Sequence, residues 1–442
     1  MRVPSPTTRR GLLLGSIAGT SGFAIGAPGV VLPDVADAFG ISDDATAWVL
    51  AAFVLGSGVA MTIGGRALDL FDSHRVTYAG LLATVLGTLA IVLAGSFPVV
   101  VAGRFIQGAG SGLLCVTAFS AVSFTPLAAR ARVGGILTAT SFTCIAISPL
   151  VGALLEAAAG WRAALGVGLL TCVPMPWLLR DLPRQERSVG SLDLRGAALA
   201  TVVSVGIAAV LQAPATATPF VVAAIVAVIA VVALVALARH LMSRADGFLP
   251  LAVLRNRELI ELSFVAATVQ GAYTALIFAA PMLLAREAGW SALQTGIALA
   301  PCALFAATSA HLAGTVGVRY GTSLFGACCA VSAAGVLVSG VFSASPALVI
   351  FGSVLAIVPY AGVQAVMLGK VSTLVAPEDV GAATGTFTYI FITGGAVGAA
   401  AAGGLSSVVG LGAAVAITAL LPLAGLVVSL QVRAREARAV PA

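Results

Sequence analysis

The sequence predicts an all-α membrane protein of fourteen spans, and three observations carry that expectation. Sixty per cent of the 442 residues are apolar and only 9 % carry charge. Apolar runs of about 20 residues, the length that crosses a bilayer as a helix, recur along the whole chain. The basic residues between those runs collect in alternate loops.

A soluble domain is about half apolar and about a quarter charged, and it needs polar residues to cover its surface. This composition excludes one, so the length is read as a count of spans. The formal net charge of +6 forms no basic stripe for nucleic acid, because the charges stand singly between apolar runs. The six cysteines (Cys115, Cys144, Cys172, Cys302, Cys328 and Cys329) lie in apolar stretches without metal-ligand spacing and read as small core residues. The apolar run from Gly11 to Pro33 is longer than that of a secretory signal and reads as a retained first span.

The spans fall at about 11–33, 46–65, 76–95, 97–121, 133–158, 161–179, 195–212, 219–241, 259–284, 293–314, 322–342, 346–368, 380–404 and 407–430. With the N-terminus inside, twenty of the 23 basic residues lie in inner segments, Arg162 and Arg286 lie outside, and Arg104 lies within a span. That distribution satisfies the positive-inside rule. Asp34, Asp37, Asp43 and Asp44 share the first outer loop. Both termini are expected in the cytoplasm. Two long polar stretches, 180–193 and 242–257, flank a seventh and an eighth span that lack interior charge. The chain thus divides into a six-helix bundle over 1–182, two linker spans with their loops over 183–257, and a second six-helix bundle over 258–442.

A bundle of this size could be an enzyme, a channel, a pump or a carrier. An ATP-driven pump needs a P-loop lysine. The one lysine here, Lys370, is followed by Val371, and Gln364 stands where the first glycine belongs. His74, His240 and His311 stand apart, so no metal cluster or histidine relay is visible. No catalytic set of Ser, His, Cys and carboxylate appears, and neither an enzyme activity nor a cofactor is expected. Gly108-Ala109-Gly110-Ser111-Gly112 lies inside a span, where it reads as close helix packing rather than a phosphate cradle.

Gly65, Asp69 and Arg75 stand between the second and third spans, where glycine permits a tight turn and a carboxylate can meet a helix end or an arginine. Gly314, Arg319 and Gly321 hold the equivalent place in the second half, so the two loops form an internal repeat and are read as gating loops. Arg104-Phe105-Ile106-Gln107-Gly108 puts a charge deep in the fourth span, where it needs a partner or a task. Glu156, or the Asp34/Asp37 end of the first span, are the candidate partners. The fifth span holds Gly135, Pro149 and Gly152, with Cys144, Ser148 and Ala153 as further small residues, and is followed by Trp161-Arg162.

Together and in this order the motifs resemble the major facilitator superfamily. The two loops are similar to its cytoplasmic loop signature, the fourth span to its Arg-x-x-Gln-Gly, and the fifth to its antiporter signature. Leu192-Asp193-Leu194-Arg195-Gly196 and Pro250-Leu251 with Arg255-Asn256-Arg257 bracket the extra pair of spans and resemble the fourteen-span drug:proton antiporter branch. The resemblance implies a major-facilitator fold of two six-helix bundles plus two linker helices, and export rather than import. Where such relatives typically carry an acid in the middle of the first span, this chain reads Gly22-Phe23-Ala24-Ile25 and has no carboxylate.

The expected function is a proton-coupled exporter of small amphipathic organic compounds (a drug, an antibiotic or a secondary metabolite). It is expected to act as a monomer in the bilayer of the cell membrane, with import of a nutrient or metabolite as the alternative. Arg104, Gln107, Gln270, Tyr273, Tyr360, Gln364 and Tyr389 are stranded near mid-membrane and are candidates to line the cavity or carry coupling. Gln270 and Tyr273 share a helix face, as do Tyr360 and Gln364. Interhelical hydrogen bonding alone is the other reading of these pairs.

Overall fold

A computed structural model describes residues 5–182, 192–244, 247–376 and 379–439, among which every regular element is helical. Helix α1 (Pro6–Gly26) is capped by the Ser5 hydroxyl, and a 3-10 turn at Ala27–Val31 carries the chain into α2 (Leu32–Phe39). Gly40 ends α2 at φ +62°, a left-handed conformation that glycine adopts without strain. Then come α3 (Ala47–Leu70), α4 (Ser73–Val92), α5 (Phe97–Ser120) and α6 (Leu127–Ala159). Short α7 (Trp161–Leu165), a 3-10 segment and α8 (Met175–Asp181) form one stretch of span length. The chain continues through α9 (Leu194–Gln212), α10 (Phe220–Ser243), α11 (Leu251–Leu254), α12 (Arg257–Arg286) and α13 (Ala292–Leu299). It finishes with α14 (Cys302–Val341), α15 (Pro346–Leu374), α16 (Val380–Val409), α17 (Leu411–Thr418) and α18 (Leu420–Ala439).

Among the described residues twelve helical stretches are long and apolar enough to cross a membrane, or thirteen if the bent pair 132–145 and 147–159 within α6 counts as one. The count of fourteen differs at 293–314, where α13 and the first part of α14 lie. Gly314, Arg319 and Gly321 fall within the residues of α14, whose two arms both reach the middle of α15, Ser309 Oγ donating to the Val358 oxygen at 3.1 Å and Gly335 lying against Gly352, so the chain turns back between them. The side chains of 310–322 lie outside the described residues. The first loop is shorter than expected. Gly65 and Asp69 belong to the last turns of α3 and exposed Arg75 to the first turn of α4, leaving Phe71 and Asp72 between the helices. Asp72, not Asp69, caps α4, accepting from the His74 amide at 3.1 Å. The Asp69 side chain lies outside the described residues.

Helices meet backbone to backbone along glycine lines. A Cβ added at Gly15 of α1 would sit 2.6 Å from Thr140 Cβ of α6, and one at Gly26 would sit 1.9 Å from Ser148 Oγ. Gly108 and Gly112 of α5 bring it against α3, where added Cβ atoms would lie 2.1 Å from the Phe53 oxygen and 2.5 Å from that of Ser57. Gly110 faces α4, 2.3 Å from the Thr84 nitrogen by the same measure. The packing expected of Gly108 to Gly112 is thus what the helix makes. In the second half Gly394 and Gly398 of α16 close onto Ala267 and Gly271 of α12. Contacts in α1/α6 and in α12/α16 ascend both chains together, so the two pairs are parallel and equivalent in position.

Helix α3 packs on α16, and α6 on α13 and α14, which joins the first six expected spans to the last six. Helix α9 fits against α3, α16 and α10, while α10 turns Phe220, Val221, Val228 and Val232 outward. At one rim Arg286, ending α12, pairs with Asp37 of α2 at 3.0 Å and with Asp43 at 2.8 Å.

At the start of α9 the buried Asp193 carboxylate accepts from the Gly196 amide (2.9 Å), the Phe248 amide (2.7 Å) and His240 Nε2 (2.7 Å). Burial pushes its pKa upward, but these donors outweigh it and hold the carboxyl below the usual carboxylate range. Asp193→Ala should lower the melting temperature of detergent-purified protein at neutral pH, by the equivalent of about 1–3 kcal/mol for a lost cap and two stranded donors. Because the folded-state value is depressed, the stabilisation is complete above the usual carboxylate range and is lost as pH falls through it. The gap between wild type and variant should therefore close in acid. A gap that stays constant down to a pH of about 3 would show that the charge of Asp193 is not what holds these ends together.

Candidate functional site

Two prolines inside helices, Pro149 of α6 and Pro281 of α12, shape the centre of the molecule. Proline has no amide hydrogen, so each frees the carbonyl four residues earlier, here Ile145 and Ile277. The Ser148 hydroxyl donates to the Ile145 oxygen, and Gly29 lies against that of Ile277, where an added Cβ would come within 2.8 Å. Between these two helices is a half-open cavity.

Gly26 of α1 and Ile145, Ser148 and Pro149 of α6 form one wall. Tyr273, Leu276, Ile277, Ala280 and Pro281 of α12 form the facing wall, and Leu299, Cys302, Ser353 and Ile357 complete the lining. No charged side chain is among them. Tyr273 is fixed from behind by a pile of rings. It stacks on Tyr360 at 4.2 Å and 14°, Tyr360 on Phe391 at 6.0 Å, and Phe391 on Phe387 at 5.3 Å. The Tyr273 hydroxyl makes no hydrogen bond among the described residues.

The seven polar residues expected in mid-membrane are not brought together. Tyr273 reaches the cavity wall and Tyr360 backs it. Gln270 is buried, its Oε1 without a partner, close to Gly395 and off the wall. Gln364 is half-buried on α15 and also off the wall. Tyr389 turns away to α9, donating to the Ala200 oxygen at 2.9 Å and meeting Ser204 Oγ at 2.6 Å.

Arg104 and Gln107 form a closed knot instead of a ligand contact. Arg104 is fully buried over the Phe53 ring at 4.4 Å. Its Nε donates to the Val49 oxygen (2.9 Å), Nη1 to Gln107 Oε1 (2.6 Å) and Nη2 to the Ala24 oxygen (2.6 Å). Gln107 Nε2 then donates to Thr88 Oγ1 (2.9 Å) and the Leu165 oxygen (3.0 Å). Carbonyls and an amide therefore take the place of Glu156, Asp34 and Asp37 as partners. In the fifth-span motif Pro149 lines the cavity and Gly152 packs on α1's end, 2.4 Å from the Ala27 oxygen by an added Cβ, whereas Gly135 is exposed with nothing nearby. The wall residues Ile277, Cys302 and Ser353 were not singled out from the sequence. The signal that points to them is Pro281, a proline within a long apolar run.

An all-helical membrane bundle with a closed polar knot on one side and an apolar cavity between its halves has the architecture of a membrane transporter. The chain belongs to the Major Facilitator Superfamily, whose profile matches residues 14–236. It is similar to the Multidrug resistance protein Stp of Mycobacterium tuberculosis, 32 % identical over 142 residues, covering 32 % of this chain and 26 % of that one. It is 28 % identical over 177 residues to the Puromycin resistance protein pur8 of Streptomyces alboniger, covering 38 % of this chain and 35 % of that protein. It is 23 % identical over 281 residues to the Methylenomycin A resistance protein of Bacillus subtilis, covering 62 % and 59 %. The matches thus span from about a quarter to about three-fifths of these relatives. A POT family transporter in complex with thioalcohol conjugated peptide superposes with a TM-score of 0.70 at 12 % identity, over 98 % of this chain and 96 % of that one. The human organic anion transporter MFSD10 (TETRAN) does so with a TM-score of 0.62 at 16 % identity, over 96 % and 98 %. These likenesses establish the shared fold.

Arg104→Lys should lower thermal stability in detergent, since lysine cannot serve three acceptors in the plane of a guanidinium. Arg104→Ala should cost about 2–4 kcal/mol by stranding buried acceptors. Adding Glu156→Ala should restore neither stability nor membrane level. Recovery in the double variant, read by fluorescence-detected thermal melting, would mean that Arg104 neutralises Glu156 after all.

Proposed function

We propose that the protein is a secondary exporter of small amphipathic organic compounds, driven by proton influx. The observation that carries this reading is the position of the cavity, walled by α1 and α6 on one side and by α12, α13, α14 and α15 on the other. A site shared between two halves is what alternating access requires, because rocking one half against the other opens it to each side in turn. The names of the partial relatives, which speak of resistance to drugs and antibiotics, support export. Residues 1–182 and 258–442 are the two bundles in this proposal, with 183–257 as an inserted pair. The chain crosses the bilayer of the cell membrane fourteen times, keeps both termini in the cytoplasm and works as a monomer. Gly65, Asp69 and Arg75 at the α3–α4 junction act in gating, as does the region of Gly314, Arg319 and Gly321 on α14.

In everted vesicles, a proton gradient that is acid inside should drive substrate into the lumen, and a protonophore should stop it. Flux out of the lumen under the same gradient would make the protein an importer. A cytoplasm-active reporter fused after Leu430 and a periplasm-active reporter fused after Ala213 should both work. If only a cytoplasmic reporter works after Ala213, the α9–α10 pair does not cross and the proposed topology fails.

A further inference from the structure

We infer that the cavity takes uncharged, lipophilic molecules that carry a hydrogen-bond acceptor, and that it rejects cations. This deepens the exporter reading and rests on it. The lining contains no carboxylate and no base, and most of it is hydrocarbon or glycine. Its two serine hydroxyls are committed to their own helices, Ser148 to the Ile145 oxygen and Ser353 to the Val349 oxygen at 2.9 Å. The Tyr273 hydroxyl is not committed, and one face of its ring is already taken by Tyr360.

A cation entering this space would leave its hydration shell and find nothing of opposite charge to replace it. The stretch of α1 that approaches the cavity, Gly22 to Gly26, supplies no acid either. The carboxylates Asp34, Asp37, Asp43 and Glu156 are all absent from the lining. An uncharged molecule meets no such penalty. It gains contact with Leu276, Ile277 and Ile357 as water leaves apolar surface, and its carbonyl or ether oxygen accepts from the Tyr273 hydroxyl. The ring pile behind Tyr273 holds that donor in place before the ligand arrives, so little freedom is lost on binding.

Cys302 stands in the same wall and reports occupancy. In a variant whose other five cysteines are alanine, the alkylation rate of Cys302 by N-ethylmaleimide is followed by mass spectrometry on purified protein. The probes are chloramphenicol and a set of uncharged aromatic amides on one side, and tetraphenylphosphonium on the other. The uncharged set should slow alkylation several-fold, and tetraphenylphosphonium should leave it unchanged. Tyr273→Phe should raise the half-protecting concentration of the uncharged probes by about 3- to 10-fold, the worth of one hydrogen bond. Ile277→Glu should make tetraphenylphosphonium protective. Protection by the cation at equal or lower concentration, or protection by neither class, overturns the inference, and both comparisons are made with Tyr273 and Ile277 intact. Flux in vesicles judges export separately. A cation pumped without shielding Cys302 would end the cavity assignment and leave export standing. Clear shielding by uncharged probes with no flux would end the export reading and leave the binding class standing.

Discussion

In hydrocarbon, burying one apolar side chain against another gains little, because lipid is as apolar as leucine. Cohesion between these helices has to come from close approach and from polar groups satisfied inside the bundle. The glycine lines supply the first. Where Gly398 meets Gly271 or Gly108 meets Phe53, no Cβ could be inserted without striking backbone, so main chains touch and dispersion contacts multiply. The second appears in the hydroxyls that turn back onto their own helices, as Thr77, Thr84 and Thr88 of α4 each do to the carbonyl four residues earlier. A serine or threonine used this way has spent its one donor and can only accept, as Thr88 does from Gln107, which leaves few free donors at mid-membrane.

Arg104 shows the same constraint at its most demanding. A guanidinium buried in a span is costly unless its donors are met. Its partners are the Val49 and Ala24 carbonyls and Gln107, so one side chain joins α1, α3 and α5, and Gln107 extends the join to α4 and α7. Ala24 lies in the very stretch where the resemblance leads one to expect an acid. A backbone oxygen stands there instead, and it carries no proton. The knot therefore holds no carboxylate that could take up a proton.

The parts of the fold that were legible in the sequence are those governed by local signals. Span length and the close packing of Gly108 to Gly112 each follow from composition within about 20 residues. The glycines and arginine at 314–321 fall within α14 between two arms that both reach the middle of α15, a reversal that the local motif marks but whose geometry depends on residues more than 30 positions away. The site was less legible for a different reason. Polarity in a span says that a side chain needs a partner, not which one, and Arg104, Gln107 and Tyr389 found theirs in neighbouring helices. Tyr273 differs only because a second aromatic ring from α15 holds it at a wall, a relation between residues 87 positions apart.

Helices α9 and α10 are built into the same logic. Helix α9 lies against both α3 and α16, the two helices through which the halves touch along one edge. Tyr389 of α16 hydrogen-bonds to the Ala200 carbonyl and to Ser204 on α9, and its ring meets Phe248 edge-on at 5.5 Å. Further along, Gly404 of α16 lies so near α9 that an added Cβ would fall 1.7 Å from the Leu211 oxygen. Asp193 then fastens the start of α9 to the end of α10 and to the Phe248 segment. Any rotation of α3 against α16 has to carry α9 with one of them and give up its contacts to the other. Each hydrogen bond surrendered is worth about 0.5–1.5 kcal/mol, and alternative states of a protein commonly differ by only a few kcal/mol. The contacts of α9 are thus on the scale that sets which state prevails, while α10, facing lipid with most of its large side chains, adds little to that balance.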